Sequence, residues 1–84
     1  MEAIIFYANW CIPCNSYKTV YSNLDTIIPV RAFDIENKKY ANLVKTYNIT
    51  SLPTTCIVKN DKLIEKVVGV LSLNELESLI NKHN

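Results

Sequence analysis

Two cysteines, Cys11 and Cys14, are the residues of this sequence best suited to chemistry. They lie in the segment Trp10-Cys11-Ile12-Pro13-Cys14, between a short apolar run and a helical pattern. A thiol at a helix N-terminus faces unpaired backbone N–H groups and the positive end of the helix dipole, and both favour the thiolate. The i, i+3 spacing places the second sulfur one turn away on the same helix face, and Pro13 fits the first turn. We therefore predict a redox pair in which Cys11, at the exposed end, is the nucleophile and Cys14 resolves the mixed disulfide.

The cysteine pair has two other interpretations. A C-x-x-C segment can be half of a zinc site, but zinc requires four ligands and only Cys56 and His83 remain as candidates, neither of them in a second paired motif. Two inert buried cysteines are the other alternative, which the strand–helix junction disfavours. Cys56 itself lies in an apolar strand pattern and is interpreted as a core residue, with a regulatory thiol as the alternative.

The apolar periodicity of the chain predicts the elements that position this pair. Four strands are predicted, at Ala3–Tyr7, Val30–Ile35, Thr54–Val58 and Leu63–Val68. Three helices are indicated by apolar stripes, which comprise Tyr17, Val20, Tyr21 and Leu24, then Tyr40, Leu43, Val44 and Tyr47, then Leu73, Leu76, Leu79 and Ile80. Lys59-Asn60-Asp61-Lys62 suits a tight hairpin turn with positive φ, and Ser72 with Glu75 has the spacing of a capping box.

The predicted order is β-α-β-α-β-β-α, in one domain over residues 1–84. The first βαβ unit requires parallel strands joined by a right-handed crossover, and the later hairpin adds two antiparallel strands. The expected fold class is therefore α/β, a four-stranded mixed sheet with helices on both faces.

Composition excludes several classes of function. The net charge is +1 and no basic patch is present, so we expect no nucleic-acid partner. The apolar run near the N-terminus is too short for a membrane span or a signal sequence, which predicts a protein with no membrane association in the cytoplasm. In that reducing compartment a C-x-x-C pair indicates redox or metal chemistry rather than a structural disulfide. No cofactor or metal is predicted.

With these residues identified, the chain resembles the thioredoxin family along nearly its whole length. The resemblance is carried by the segment Phe6–Cys14, by Tyr47–Thr54, and by Val58–Asp61 with Val68-Gly69 and the terminal helix that begins at Ser72. It implies the thioredoxin fold, with Pro53 as a cis-proline beside the cysteines and Leu52 free to pair with an extended substrate. It also implies a substrate-binding set comprising Trp10, Ile12, Pro13, Leu52, Pro53 and Gly69. Core packing is the alternative for Trp10.

Four departures from the family pattern are evident. The sequence begins at what is similar to the family's second strand, so the usual first strand and first helix are missing. The family's buried aspartate, which relays a proton to the resolving cysteine, is replaced by Ile5, and Asp34, Glu36 or water are considered in its place. Ile12 and Asn15 stand where the family usually has Gly and Lys.

Lys18 is interpreted as a solvated surface lysine, although it could add positive potential near Cys11.

The function implied by the resemblance is reduction of protein disulfides by a monomer, with a thioredoxin-reductase-type flavoprotein as electron donor. A glutaredoxin-like reductant is the first alternative, although no Gly-Gly motif of the kind that binds glutathione follows Pro53. A non-catalytic interaction subunit with the same fold is the second.

Overall fold

A four-stranded mixed sheet forms the centre of the protein in the computed structural model, which describes residues 1–84. The strands are β1 (Glu2–Tyr7), β2 (Val30–Asp34), β3 (Thr54–Lys59) and β4 (Lys62–Val68). Their spatial order is β2-β1-β3-β4, with β1 and β2 parallel and the other two pairs antiparallel. The predicted topology is confirmed, and each predicted strand boundary is correct to within one residue.

Helices cover both faces of the sheet, as predicted. They are α1 (Ile12–Ser22), α2 (Ala41–Thr46) and α3 (Leu73–His83), and a single 3-10 turn at Lys38–Tyr40 leads into α2. Because side chains alternate along a strand, β1 sends Ala3 and Ile5 towards α1 and α3, and Ile4 and Phe6 towards α2. All four side chains are buried, which explains why β1 is a continuous apolar run. None of the helices has the length and hydrophobicity needed to cross a bilayer.

The core on the α1–α3 face is anchored by Tyr17, which is completely buried. Its hydroxyl lies 2.7 Å from the Thr55 hydroxyl on β3, so the ring ends in a satisfied hydrogen bond rather than an orphaned polar group. Burial is the main cause that raises the pKa of Tyr17. The tyrosine therefore fixes α1 against the middle of the sheet.

The stripes predicted for α1 and α2 pack as expected, but the one for α3 is wrong at its first position. Leu76, Leu79 and Ile80 are buried, whereas Leu73 is 38% exposed. Leu73 is the first residue of α3, and a helical side chain leans towards the N-terminus of its helix. It therefore points past the start of the helix instead of onto the sheet.

The local signals of the last third are confirmed. Asn60 and Asp61 have φ values of 53° and 64°, as a two-residue hairpin turn requires. The capping box forms, since Glu75 N donates to Ser72 Oγ at 3.1 Å and Ser72 N donates to Glu75 Oε1 at 3.0 Å. The hydrogen bond from the Ser72 backbone is the main cause that lowers the pKa of the Glu75 carboxyl, and the Ser72 side chain lowers it further.

An acidic residue on β4, Glu65, fastens the end of α3 to the sheet. Its Oε1 atom accepts hydrogen bonds from His83 Nε2 at 2.6 Å and from Lys82 Nζ at 3.1 Å. Both bonds lower the pKa of Glu65, and the bond from His83 has the larger effect. The pKa of Glu65 is therefore lower in the folded protein than in the unfolded chain. The bonds of the Glu65 carboxylate stabilise the fold fully at a pH above the unfolded-state pKa, and this stabilisation is lost as the pH falls through the folded-state pKa.

We therefore predict that Glu65→Gln lowers the Tm at neutral pH, and that the difference from the unmodified protein shrinks as the medium is acidified below the ordinary glutamate range. Thermal unfolding followed by circular dichroism across this range provides the measurement. The matched control is Glu36→Gln, at an exposed glutamate whose side chain forms no ion pair. A Tm difference for Glu65→Gln that is independent of pH would contradict the assignment.

Candidate functional site

The junction between β1 and α1 positions Cys11. After β1 ends at Tyr7, a short loop closes with a hydrogen bond from Cys11 N to Ala8 O at 3.1 Å. Cys11 is the N-cap residue of α1, with extended backbone angles, and its Sγ accepts a hydrogen bond from Cys14 N at 3.3 Å. The sulfur therefore occupies the place that a Ser or Asp oxygen takes at many helix starts. Pro13 lies within the first turn, as predicted.

The two cysteines are joined in a disulfide, with their Cα atoms 5.2 Å apart. The i, i+3 spacing thus brings the sulfurs together, as the sequence predicted. The other zinc ligands considered lie elsewhere: Cys56 is buried beneath α2, and His83 binds Glu65 at the end of α3. Burial raises the pKa of the Cys56 thiol to about 11, an effect that Lys66 partly opposes.

The two sulfurs face different surroundings. Cys11 is 6% exposed and Cys14 is 3% exposed, so Cys11 is more covered than the exposed position that the sequence predicted. Cys11 lines an open groove on one side, while Cys14 lines a separate cavity on the side of β2. Cys11 therefore borders the groove, whereas Cys14 borders the cavity on the other side.

We call the first of these spaces the active-site groove. It has a volume of about 430 Å³ and none of its lining residues is charged. Four predicted substrate-binding residues line it, namely Trp10, Ile12, Pro13 and Leu52. Four further lining residues were missed, namely Ile35, Ile49, Thr50 and Ser51. Trp10 is 65% exposed and Ile12 is 77% exposed, so core packing, the alternative for Trp10, is wrong.

The other two predicted residues, Pro53 and Gly69, do not line the groove. Pro53 is buried behind Leu52, and the Leu52–Pro53 peptide bond is cis. Gly69 N donates to Pro53 O at 2.8 Å, which ties the end of β4 to this segment. Gly69 has a φ of 106°, a conformation that favours glycine. Both residues thus support the loop that presents Leu52.

The backbone of Leu52 is free to bind a partner. Its N–H and C=O groups form no hydrogen bond within the protein. The neighbouring Ser51 carbonyl is already occupied, since it accepts a bond from Thr54 Oγ1 at 2.6 Å. Leu52 therefore offers one unpaired donor and one unpaired acceptor beside the groove.

The second space, which we call the β2-side cavity, has a volume of about 250 Å³. Its lining residues are Tyr7, Asn9, Cys14, Asn15, Lys18, Tyr21 and Ala32. The carboxylates considered for proton transfer do not reach it: Asp34 Oδ1 accepts a bond from Glu36 N at 2.9 Å, outside this lining. Ile5 is completely buried in the apolar core.

Comparison with known proteins agrees with this geometry. The family model described as Thioredoxin matches residues 2–82. A thioredoxin from Chlamydia pneumoniae is 33% identical over 79 residues, which covers 93% of this chain and 78% of that protein.

Solved structures give the same result. A thioredoxin-2 of a malaria parasite superimposes with a TM-score of 0.86 at 27% identity, covering 98% of this chain and 82% of the other. A thioredoxin variant from Halobacterium salinarum gives a TM-score of 0.87 at 28% identity, covering 96% and 72% respectively. The match over residues 2–82 shows that the chain belongs to the thioredoxin family. Because it also has the cysteine pair at the strand–helix junction, the protein is a thiol–disulfide oxidoreductase.

Proposed function

We propose that this oxidoreductase reduces disulfides in protein substrates, with Cys11 as the nucleophile and Cys14 as the resolving thiol. The observation that carries the assignment is the place of Cys11, whose Sγ accepts a hydrogen bond from the Cys14 amide at the start of α1 and which itself lines the active-site groove. An amide directed at sulfur favours the thiolate, which is the form that attacks a disulfide. Cys14 is absent from the groove lining, which supports Cys11 as the cysteine that a bound substrate meets first.

In the first step the Cys11 thiolate attacks one sulfur of the substrate disulfide, and a mixed disulfide forms while the other substrate sulfur leaves as a thiolate. That leaving group takes up a proton from solvent. In the second step the Cys14 thiolate attacks Cys11 Sγ, which breaks the mixed disulfide and releases the second substrate thiolate. Two electrons have then moved to the substrate, and the protein holds the Cys11–Cys14 disulfide seen here.

The groove favours an extended, uncharged stretch of substrate. Trp10, Ile12 and Leu52 provide apolar contact, and the free N–H and C=O of Leu52 can pair with a substrate backbone as an added strand would. We assign Pro13 to the same contact surface, and Pro53 and Gly69 to holding Leu52 in place. Because no charged residue lines the groove, selection depends on shape and hydrophobicity.

A thioredoxin-reductase-type flavoprotein is the electron donor we propose, in a reducing compartment such as the cytoplasm. Glutathione is the competing donor, and its carboxylates would find no cationic partner in the uncharged groove. We expect turnover with NADPH and a thioredoxin reductase to exceed turnover with glutathione and glutathione reductase, each followed by NADPH oxidation. Efficient turnover with glutathione alone would overturn this choice of donor.

The roles of the two cysteines predict different defects. Cys11→Ser is expected to lower insulin reduction to the uncatalysed rate, because the attacking sulfur is removed. Cys14→Ser should still attack, and should accumulate a mixed disulfide with substrate that mass spectrometry detects. Cys56→Ala, at a buried thiol outside the site, is the control and should retain activity. Full activity of Cys11→Ser would contradict the proposal.

Docking in the groove predicts a specific loss on removing an exposed side chain. Trp10→Ala should lower kcat/KM for a protein substrate by about tenfold, equivalent to roughly 1.4 kcal/mol of lost apolar contact. The free energy of unfolding should change little, since Trp10 is 65% exposed. Ile27→Ala is the matched control, because Ile27 is 89% exposed and lies outside the groove. Equal kinetic effects of the two substitutions would contradict docking at Trp10.

A further inference from the structure

The resolving cysteine, Cys14, is almost completely buried. Ala8, Ile35 and Leu52 belong to the apolar surroundings of the cysteine pair, and Cys14 is only 3% exposed. Among the cavities of the protein, the β2-side cavity is the one that includes Cys14 in its lining. The β2-side cavity therefore offers a route for exchange of a proton between Cys14 and solvent.

Resolution of the mixed disulfide requires such an exchange, because Cys14 must become a thiolate before it attacks. The apolar neighbours cannot accept a proton. No carboxylate lines the cavity, as Asp34 and Glu36 lie outside it. The groups left to consider as acceptor are the tyrosines and the lysine of the lining and water that enters the cavity.

The ionisable groups that face the cavity besides Cys14 are Tyr7 from β1 and Lys18 and Tyr21 from α1, while β2 contributes only Ala32. Burial is the main cause that raises the pKa of Tyr21, and the neighbouring Tyr7 raises it further. The Tyr21 hydroxyl therefore stays protonated at neutral pH. Lys18 is four residues after Cys14, a spacing that puts both side chains on the same face of α1. A positive charge at that position stabilises an anion on Cys14 relative to the neutral thiol.

We propose that Cys14 releases its proton to water in the β2-side cavity and that Lys18 is a positioning residue whose charge stabilises the resulting thiolate. The step converts the Cys14 thiol and a water molecule into a thiolate and a hydronium ion, which leaves through the cavity. The thiolate then bonds to Cys11 Sγ, and the departing substrate thiolate takes up a proton, so that charge and electrons balance. This inference rests on the proposed role of Cys14, and it places Lys18 beside the resolving sulfur rather than beside Cys11.

The test isolates the resolving step. The reduced protein is reacted with a mixed disulfide reagent that leaves a chromophoric thiol on Cys11, and release of that thiol by Cys14 is followed by stopped-flow absorbance across a pH series. Lys18→Met should slow release of the chromophoric thiol at neutral pH by about three- to tenfold and should shift the pH dependence of this rate to higher pH. The effect is modest because Lys18 is exposed to solvent. Lys18→Arg should restore both the rate and the profile.

Two controls separate charge at Cys14 from other effects. Lys62→Met removes an exposed lysine on β4 and should leave release unchanged. Alkylation of Cys11 in the Cys14→Ser background should be unaffected by Lys18→Met. If Lys18→Met slows both reactions equally, or slows neither, the assignment of Lys18 is overturned.

A second variant tests the cavity itself. Ala32→Leu adds bulk to the cavity at an exposed position on an edge strand and retains Lys18. It should slow release of the chromophoric thiol while leaving Cys11 alkylation unchanged, and release at the unmodified rate would contradict the cavity as the proton path. Failure of the unmodified protein to release the thiol at all would instead refute the resolving role of Cys14.

Discussion

The chemistry of this protein depends on one electrostatic contact, between the sulfur of Cys11 and the backbone amides at the start of α1. The first N–H groups of α1, a helix of eleven residues, have no partner within the helix. One of them, the Cys14 amide, donates to Cys11 Sγ. When the disulfide is reduced, this contact favours the thiolate over the thiol. The rest of the fold keeps the start of α1 at a fixed distance from the sheet and leaves the sulfur open to the groove.

The scaffold achieves this with few residues. Tyr17, one turn beyond Cys14, is buried in the core and bonded to Thr55 on β3, so α1 cannot rotate without breaking a buried hydrogen bond. The two cysteines then line different spaces, Cys11 the active-site groove and Cys14 the β2-side cavity. The active-site groove is uncharged and apolar, which suits docking of a substrate backbone, whereas the β2-side cavity contains a lysine and tyrosine hydroxyls, which suits exchange of a proton. Our two proposals thus assign docking and proton transfer to opposite sides of one disulfide.

Sequence reasoning succeeded where the determining forces are local. The helix start at Cys11, the Asn60-Asp61 turn and the Ser72–Glu75 capping box each depend on a few adjacent residues, and all three formed as predicted. It missed Ile35, which reaches the groove from the end of β2, far from the cysteines in sequence. It also missed Ile49, Thr50 and Ser51, although they directly precede Leu52 in the segment that carried the resemblance, because the resemblance assigned the contact to Leu52 and Pro53 alone. The place of Lys18 was likewise hidden, since the cavity exists only once β2 lies beside β1. Helical spacing from Cys14 was the one available clue.

We expect the folded start of α1, and not the cysteine alone, to make Cys11 reactive. This can be measured as the pH dependence of Cys11 alkylation in the reduced protein, compared with the same residue in the urea-unfolded chain and followed by mass spectrometry. We expect half-maximal reactivity at a clearly lower pH in the folded protein, and at the pH typical of free cysteine once the chain is unfolded. Identical profiles in the two states would contradict it.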